Sequence, residues 1–131
     1  MRSKGLERLV LVSDIAAAGD QAPGRYTWGD IEVEVHADGR VSLAGTEFLA
    51  GAGHMLDRDI AQFMRHTGVG LSAAVALCTV NAARLLGENA YSQDREHGMP
   101  ADLTLFRYRP GDERLRIEQT ILRGKTLYRR I

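Results

Sequence analysis

One cysteine, Cys78, stands in 131 residues, so no internal disulfide can form and nothing points to secretion. Net charge is missing as well: 17 lysines and arginines balance 17 aspartates and glutamates. A general nucleic-acid or polyanion binder needs a basic face, and the charge balance argues against one. The pair Arg129-Arg130 reads as a solvated chain end. Long apolar runs are also absent. Residues 69–86 come nearest, but Ser72, Thr79, Asn81 and Arg84 interrupt them and make a membrane span untenable. Residues 1–10 lack the apolar core of a signal peptide. The expectation is a cytoplasmic protein with no membrane and no nucleic-acid partner. The four histidines, His36, His54, His66 and His97, form no His-x-His, and no pair has the i, i+4 spacing of a helical zinc site. Finally, the chain is one domain's worth of sequence, whereas a complete eightfold barrel of strands and helices takes about 250 residues.

What is present has the pattern of an α/β protein. Leu9-Val10-Leu11-Val12 is a continuous apolar run, too short for a helix, and predicts a parallel strand buried on both faces. It ends on Ser13-Asp14 and passes into the small-residue run Ile15-Ala16-Ala17-Ala18-Gly19. Residues 31–36 alternate apolar and polar, Ala37-Asp38-Gly39 supplies a turn, and Arg40-Val41-Ser42-Leu43 returns: a hairpin. Tyr26 and Trp28 flank it and are expected to anchor it by packing. A loop rich in glycine follows, with Gly45, Gly51 and Gly53. Leu56, Ile60, Phe63 and Met64 recur at helical spacing, with Asp57 and Asp59 in the first turn and Thr67-Gly68 as the stop. Ser72 is expected to cap a second helix of small residues, and Asn81 a third that closes at Gly87. Strands are predicted over 101–106 and 115–122, with a tight turn at Arg123-Gly124-Lys125 leading into Thr126-Leu127-Tyr128. No internal repeat or low-complexity segment interrupts this order.

Polar residues at the carboxyl end of a buried parallel strand are where α/β folds keep their chemistry, which singles out Asp14. The same residue also reads as a turn-forming aspartate at a strand end. His54, in the glycine loop, reads either as a ligand-binding residue or as a solvated one. His36 falls on the polar phase of the hairpin and is expected to face water. His66 near a helix end is explained by the helix dipole, and His97 has no special role. Cys78, in an alanine-rich helix, reads as buried and inert.

Taken together these residues resemble a known family. Leu11-Val12-Ser13-Asp14-Ile15-Ala16-Ala17-Ala18-Gly19 is similar to the last barrel strand of the N-acetylglucosamine-6-phosphate deacetylases of the amidohydrolase superfamily. Asp38-Gly39, Leu49-Ala50-Gly51, Leu56-Asp57, Thr67-Gly68-Val69 and Asn81-Ala82-Ala83-Arg84-Leu85-Leu86-Gly87 follow in the family's order. Gly98, Ala101-Asp102-Leu103 and Gly124-Lys125 with Tyr128 resemble its closing strands. Three departures stand out: the family usually has Asn-Pro-Ala where this chain has Asn81-Ala82-Ala83, often a serine where it has Ala52, and a segment of Gly, apolar and Gly before Ala-Asp-Leu that is compressed here to Gly98-Met99-Pro100.

The resemblance implies an α/β fold class: the C-terminal fragment of a metal-dependent (β/α)8-barrel amidohydrolase with part of its flanking β-sandwich. Residues 1–23 would be the last barrel strand and its loop, 24–44 a β-hairpin insertion, 45–90 the substrate loop and C-terminal barrel helices, and 91–131 strands of the sandwich. It implies deacetylation of N-acetylglucosamine 6-phosphate, with Asp14 as the catalytic acid–base group and Gly51, Ala52 and His54 as substrate-binding residues. It implies a divalent metal, zinc or iron, in the complete enzyme, but not its tight binding by this chain alone. Partners would be a small-molecule amino-sugar substrate and either a second copy or the missing N-terminal part. A truncated remnant without activity, or one chain of a split enzyme acting as a structural module, is the competing expectation.

Overall fold

The computed structural model describes residues 4–87 and 101–131, in two compact units, Val12–Asp59 and the remainder. His97 and the Gly98-Met99-Pro100 segment lie outside the described residues.

The first unit is a three-stranded antiparallel sheet in the order β1-β2-β3, with β1 Gly24–Trp28, β2 Ile31–Val35 and β3 Val41–Leu43. The hairpin read from the alternation at 31–36 is β2 and β3, with Val33 opposite Leu43 and Val35 opposite Val41. Period-2 alternation puts Val33 and Val35 on one face, and both are buried with Val41. Ala16 and Ala18 complete that cluster, and Tyr26 and Ala50 pack against it. Strand β1 is an addition to the expected hairpin. Gly29-Asp30 forms a two-residue loop between Trp28 and Ile31, with Gly29 at φ 59°, the geometry a tight hairpin demands. Tyr26 anchors the sheet as expected, its hydroxyl donating to the Ala22 carbonyl at 2.8 Å, whereas Trp28 is half exposed.

The second unit holds a 3₁₀ turn at Leu6–Arg8, the helices α1 Leu56–Thr67 (which begins in the first unit), α2 Leu71–Cys78 and α3 Val80–Leu85, and a second sheet. In α1 the apolar stripe buries Ile60, Ala61 and Met64, and Asp57, Asp59, Arg65 and His66 complement the dipole at its two ends. Gly68, at φ 72°, ends the helix and returns its N–H to the Met64 carbonyl. The second sheet is antiparallel in the order β4-β5-β6, with β4 Leu103–Arg107, β5 Arg116–Leu122 and β6 Lys125–Arg129. These are the two strands and the turn read near the C-terminus. No described helix is long and apolar enough to cross a membrane.

Three expectations are corrected. The run Leu9–Leu11 and Val12 is extended at Leu9 and not helical, but it is not a strand buried on both faces. Among the described residues it has no strand partner, Leu11 donates instead to the Leu77 carbonyl at 3.3 Å, and Val12 is 68% exposed. Apolar composition makes a buried strand only where neighbouring strands are supplied. Ser72 does not cap α2. The first helical bond, from Ala74 N–H to the Gly70 carbonyl, makes Gly70 the cap, and Ser72 lies exposed inside the first turn. Asn81 does not cap α3 either, since Thr79 takes that place. Asn81 is buried, and its Nδ2 donates to the carbonyls of Leu6 at 2.8 Å and Leu9 at 2.7 Å.

Asn81 thus closes a loop of more than seventy residues with one amide. Asn81→Ala should lower stability by roughly 1–3 kcal/mol, as both hydrogen bonds go. Asn81→Asp should cost more at neutral pH, because a carboxylate would face two carbonyl oxygens. Ser72→Ala should stay within about 0.5 kcal/mol of the parent. Urea midpoints at constant m-value check all three.

Candidate active site

Asp14 is the first element of the site. It is exposed, and its φ of 51° lies in the left-handed region that non-glycine residues seldom enter. Aspartate enters this region more readily than most L residues, and Asp20 at φ 60° and Arg123 at φ 48° share it. The surroundings hold it in place. Ile15 and Ala52 form a parallel bridge in which Ala52 N–H donates to the Asp14 carbonyl at 3.3 Å and Ala16 N–H donates to the Ala52 carbonyl at 2.9 Å. The run of small residues after Asp14 lets the loop sit this close. A side chain on Gly51 would meet the Ala16 Cβ at 3.0 Å, and Gly51 has a φ of 115° that an L residue would strain to adopt.

The four residues singled out in the sequence therefore fall in one unit, and three of them meet directly. Asp14 and Ala52 share a hydrogen bond, and Gly51 adjoins Ala52. Both main-chain groups of Ala52 are taken up by the bridge. His54 is half-buried, its ring turned onto the backbone of Gly39 in the β2–β3 turn. Gly53 belongs to the constellation although its signal in the sequence is only that of a loop glycine; its carbonyl accepts the Asp20 N–H at 3.0 Å.

The other two described histidines are His36 and His66. His36, expected to face water, is half-buried with Nε2 2.8 Å from the hydroxyl of Ser42, which is fully buried. A hydroxyl inside a sheet needs a partner, and His36 is it. His66 is exposed at the end of α1. Cys78 is half-buried, its Sγ 3.7 Å from the Ala74 carbonyl. Among the described residues no three His, Cys, Asp or Glu side chains come together in a group able to hold a metal ion. A catalytic zinc takes about three protein ligands, so these residues by themselves do not fit one.

No family model matches the chain. It is 31% identical over 121 residues to the N-acetylglucosamine-6-phosphate deacetylase of Rattus norvegicus, covering 92% of this chain and 28% of the rat protein. To the putative N-acetylgalactosamine-6-phosphate deacetylase of Escherichia coli it is 28% identical over 119 residues, covering 91% of this chain and 67% of that one. The crystal structure of N-acetylglucosamine-6-phosphate deacetylase from Thermotoga maritima superimposes with a TM-score of 0.79 at 28% identity, over 98% of this chain and 33% of that one. The chain thus spans under a third of the rat relative it matches.

Beside His54, the first turn of α1 holds a carboxyl whose titration can be followed. Asp59 is half-buried and its Oδ2 has no hydrogen-bond partner among the described residues. Burial raises its pKa above the ordinary 3.8; the charges of His54 and Arg58 oppose the rise and that of Asp57 adds to it. The folded state therefore holds this proton more tightly than the unfolded one. The stability it contributes is complete below pH 3.8 and is lost as pH rises through the raised value. Asp38 has the opposite sign. The Arg40 backbone N–H, donated at 3.0 Å, lowers its pKa, so its contribution is lost as pH falls through the lowered value. Asp59→Asn should raise the urea midpoint at pH 7 and leave it near the parent's at pH 3. An equal effect at both pH values would remove Asp59 from the pH dependence.

Proposed function

We propose that the chain is the C-terminal third of a (β/α)8-barrel amidohydrolase, with part of the flanking β-sandwich, and that the enzyme hydrolyses the acetamido group of an amino-sugar phosphate. N-acetylglucosamine 6-phosphate is the substrate favoured by the names of its relatives. The observation that carries this reading is Asp14: an exposed carboxylate in a left-handed conformation, tied through its main chain to the glycine loop. A carboxylate so placed can take a proton from the attacking water as the water oxygen bonds to the amide carbon. It then returns that proton to the amide nitrogen as the C–N bond breaks, releasing acetate and the free amine. Gly51 would offer its main-chain N–H or C=O to the acyl end, Ala52 its small side chain, and His54 the edge of its ring not turned to Gly39.

A divalent metal, zinc or iron, belongs to the complete enzyme in this reading and would polarise the amide carbonyl. Since the described residues do not fit one, its ligands would come from elsewhere. An N-terminal part, or a second copy, is the partner this requires.

The test is a graft. The 131 residues, placed in the Thermotoga maritima deacetylase instead of its matched third, should yield an enzyme that releases acetate from N-acetylglucosamine 6-phosphate. Asp14→Asn in the graft should lower kcat by roughly two orders of magnitude or more. A folded graft without turnover would count against the family role, and an undiminished Asp14→Asn graft would take Asp14 out of the mechanism. The chain alone should release no acetate, and calorimetry with Zn²⁺ should show no tight one-to-one site.

A further inference from the structure

The tip of the β2–β3 hairpin exposes Ala37 and Asp38 but is covered on its Gly39 side. At Gly39, whose φ is 84°, the His54 imidazole lies where an L side chain would project, with Nδ1 3.2 Å and Nε2 3.3 Å from that position. Gly53 is the reciprocal case. Its φ is outside the left-handed region, so conformation does not demand glycine there. What demands it is the Gly39 carbonyl oxygen, which occupies the place of a side chain, with Val41 Cγ2 3.5 Å from that point. A hydrogen facing a carbonyl oxygen is tolerated and weakly favourable, but a methyl would overlap it and drive the two segments apart. The turn itself is braced by the Arg40 N–H bond to Asp38 Oδ1 at 3.0 Å and by the Arg40–Glu47 ion pair at 2.9 Å.

Gly53 faces the other way as well. Its carbonyl accepts the Asp20 N–H, and the adjoining Ala52 is bonded to Asp14 and Ala16. We infer that the turn at residues 37–40 is a positioning device: acting through Gly53, it holds the 51–54 loop down on Ala16 and so sets Gly51 and Ala52 beside Asp14. Gly53 is a positioning residue in this account and touches no reacting atom. The functional meaning rests on the proposed role of Asp14, but the mechanical linkage does not.

The test reads the linkage in the 131-residue chain by amide hydrogen exchange and proton shifts. In Gly53→Ala, exchange at Ala16 and Ala52 should quicken about tenfold or more and their amide protons should move upfield. The β1–β2 ladder should keep its protection. Asp38→Ala adds no volume and loosens only the turn; it should give the same signature at about threefold. Asp38→Asn keeps an oxygen for the Arg40 N–H and should restore the parent pattern. Should Gly53→Ala also lose the β1–β2 ladder, the Asp38 pair decides: a shift at Ala52 in Asp38→Ala that Asp38→Asn restores supports the linkage. No shift at Ala52 in either Gly53→Ala or Asp38→Ala, or equal responses in Asp38→Ala and Asp38→Asn, overturns it. Because exchange needs no turnover, failure of Asp14 as the acid–base group would leave this result standing, and failure here would leave Asp14 untouched.

Discussion

Two hydrogen bonds to one residue organise the first unit. Ala52 donates to the Asp14 carbonyl and accepts from Ala16 N–H, and that exchange draws a distant glycine loop onto the residues that follow Asp14. Ala16, Gly51 and Ala52 are small where the two backbones come close. Ala16 and Ala18 are buried with Val33, Val35 and Val41, and Gly51 has no room for a side chain beyond Ala16. The sheet gives this contact a floor, and the contact leaves the Asp14 side chain in solvent. The left-handed φ of Asp14 is held because its own carbonyl and the Ala16 N–H both bond to Ala52.

The second unit solves a different problem. Its helices are short, and α3 has only six residues, well below the length at which an isolated helix is stable in water. Their stability has to come from tertiary contacts. α2 packs on α3 and on the 3₁₀ turn, and Asn81 brings the turn's carbonyls to α3. A buried amide with two acceptors has a geometry that packing alone would not impose.

Much of this was legible in the residues. Alternation at 31–43 gave the hairpin, 3.6-residue spacing with Gly68 gave α1 and its end, and Gly124 marked the turn between β5 and β6. Strand β1 was not legible in the same way: Tyr26 and Trp28 before Gly29-Asp30 read as anchors of the hairpin, since a flanking aromatic pair can serve as either. Ser72 and Asn81 illustrate a different limit. Both are residue types that favour caps, and which residue caps depends on where the first helical hydrogen bond closes. That is decided by the backbone of Gly70 and Thr79. For the site, the aspartate at the end of an apolar run could be found in the sequence, whereas the steric need for Gly53 could not. Its φ is ordinary, and the atom that forbids a side chain belongs to Gly39, fourteen positions earlier.

The edge strand β6 has a consequence for solubility. All five of its residues are exposed, and among the described residues it bonds to β5 on one side only, which leaves its other side with open backbone donors and acceptors there. Such an edge invites pairing with a second chain unless charge discourages it. Lys125 and Arg129 stand at its two ends, with Arg130 following, so two copies brought edge to edge would set like charges against each other. The repulsion is a surface effect and weakens as salt shortens the Debye length, to about 3 Å at 1 M ionic strength. The strand is therefore guarded by electrostatics, and the guard is strongest in dilute buffer.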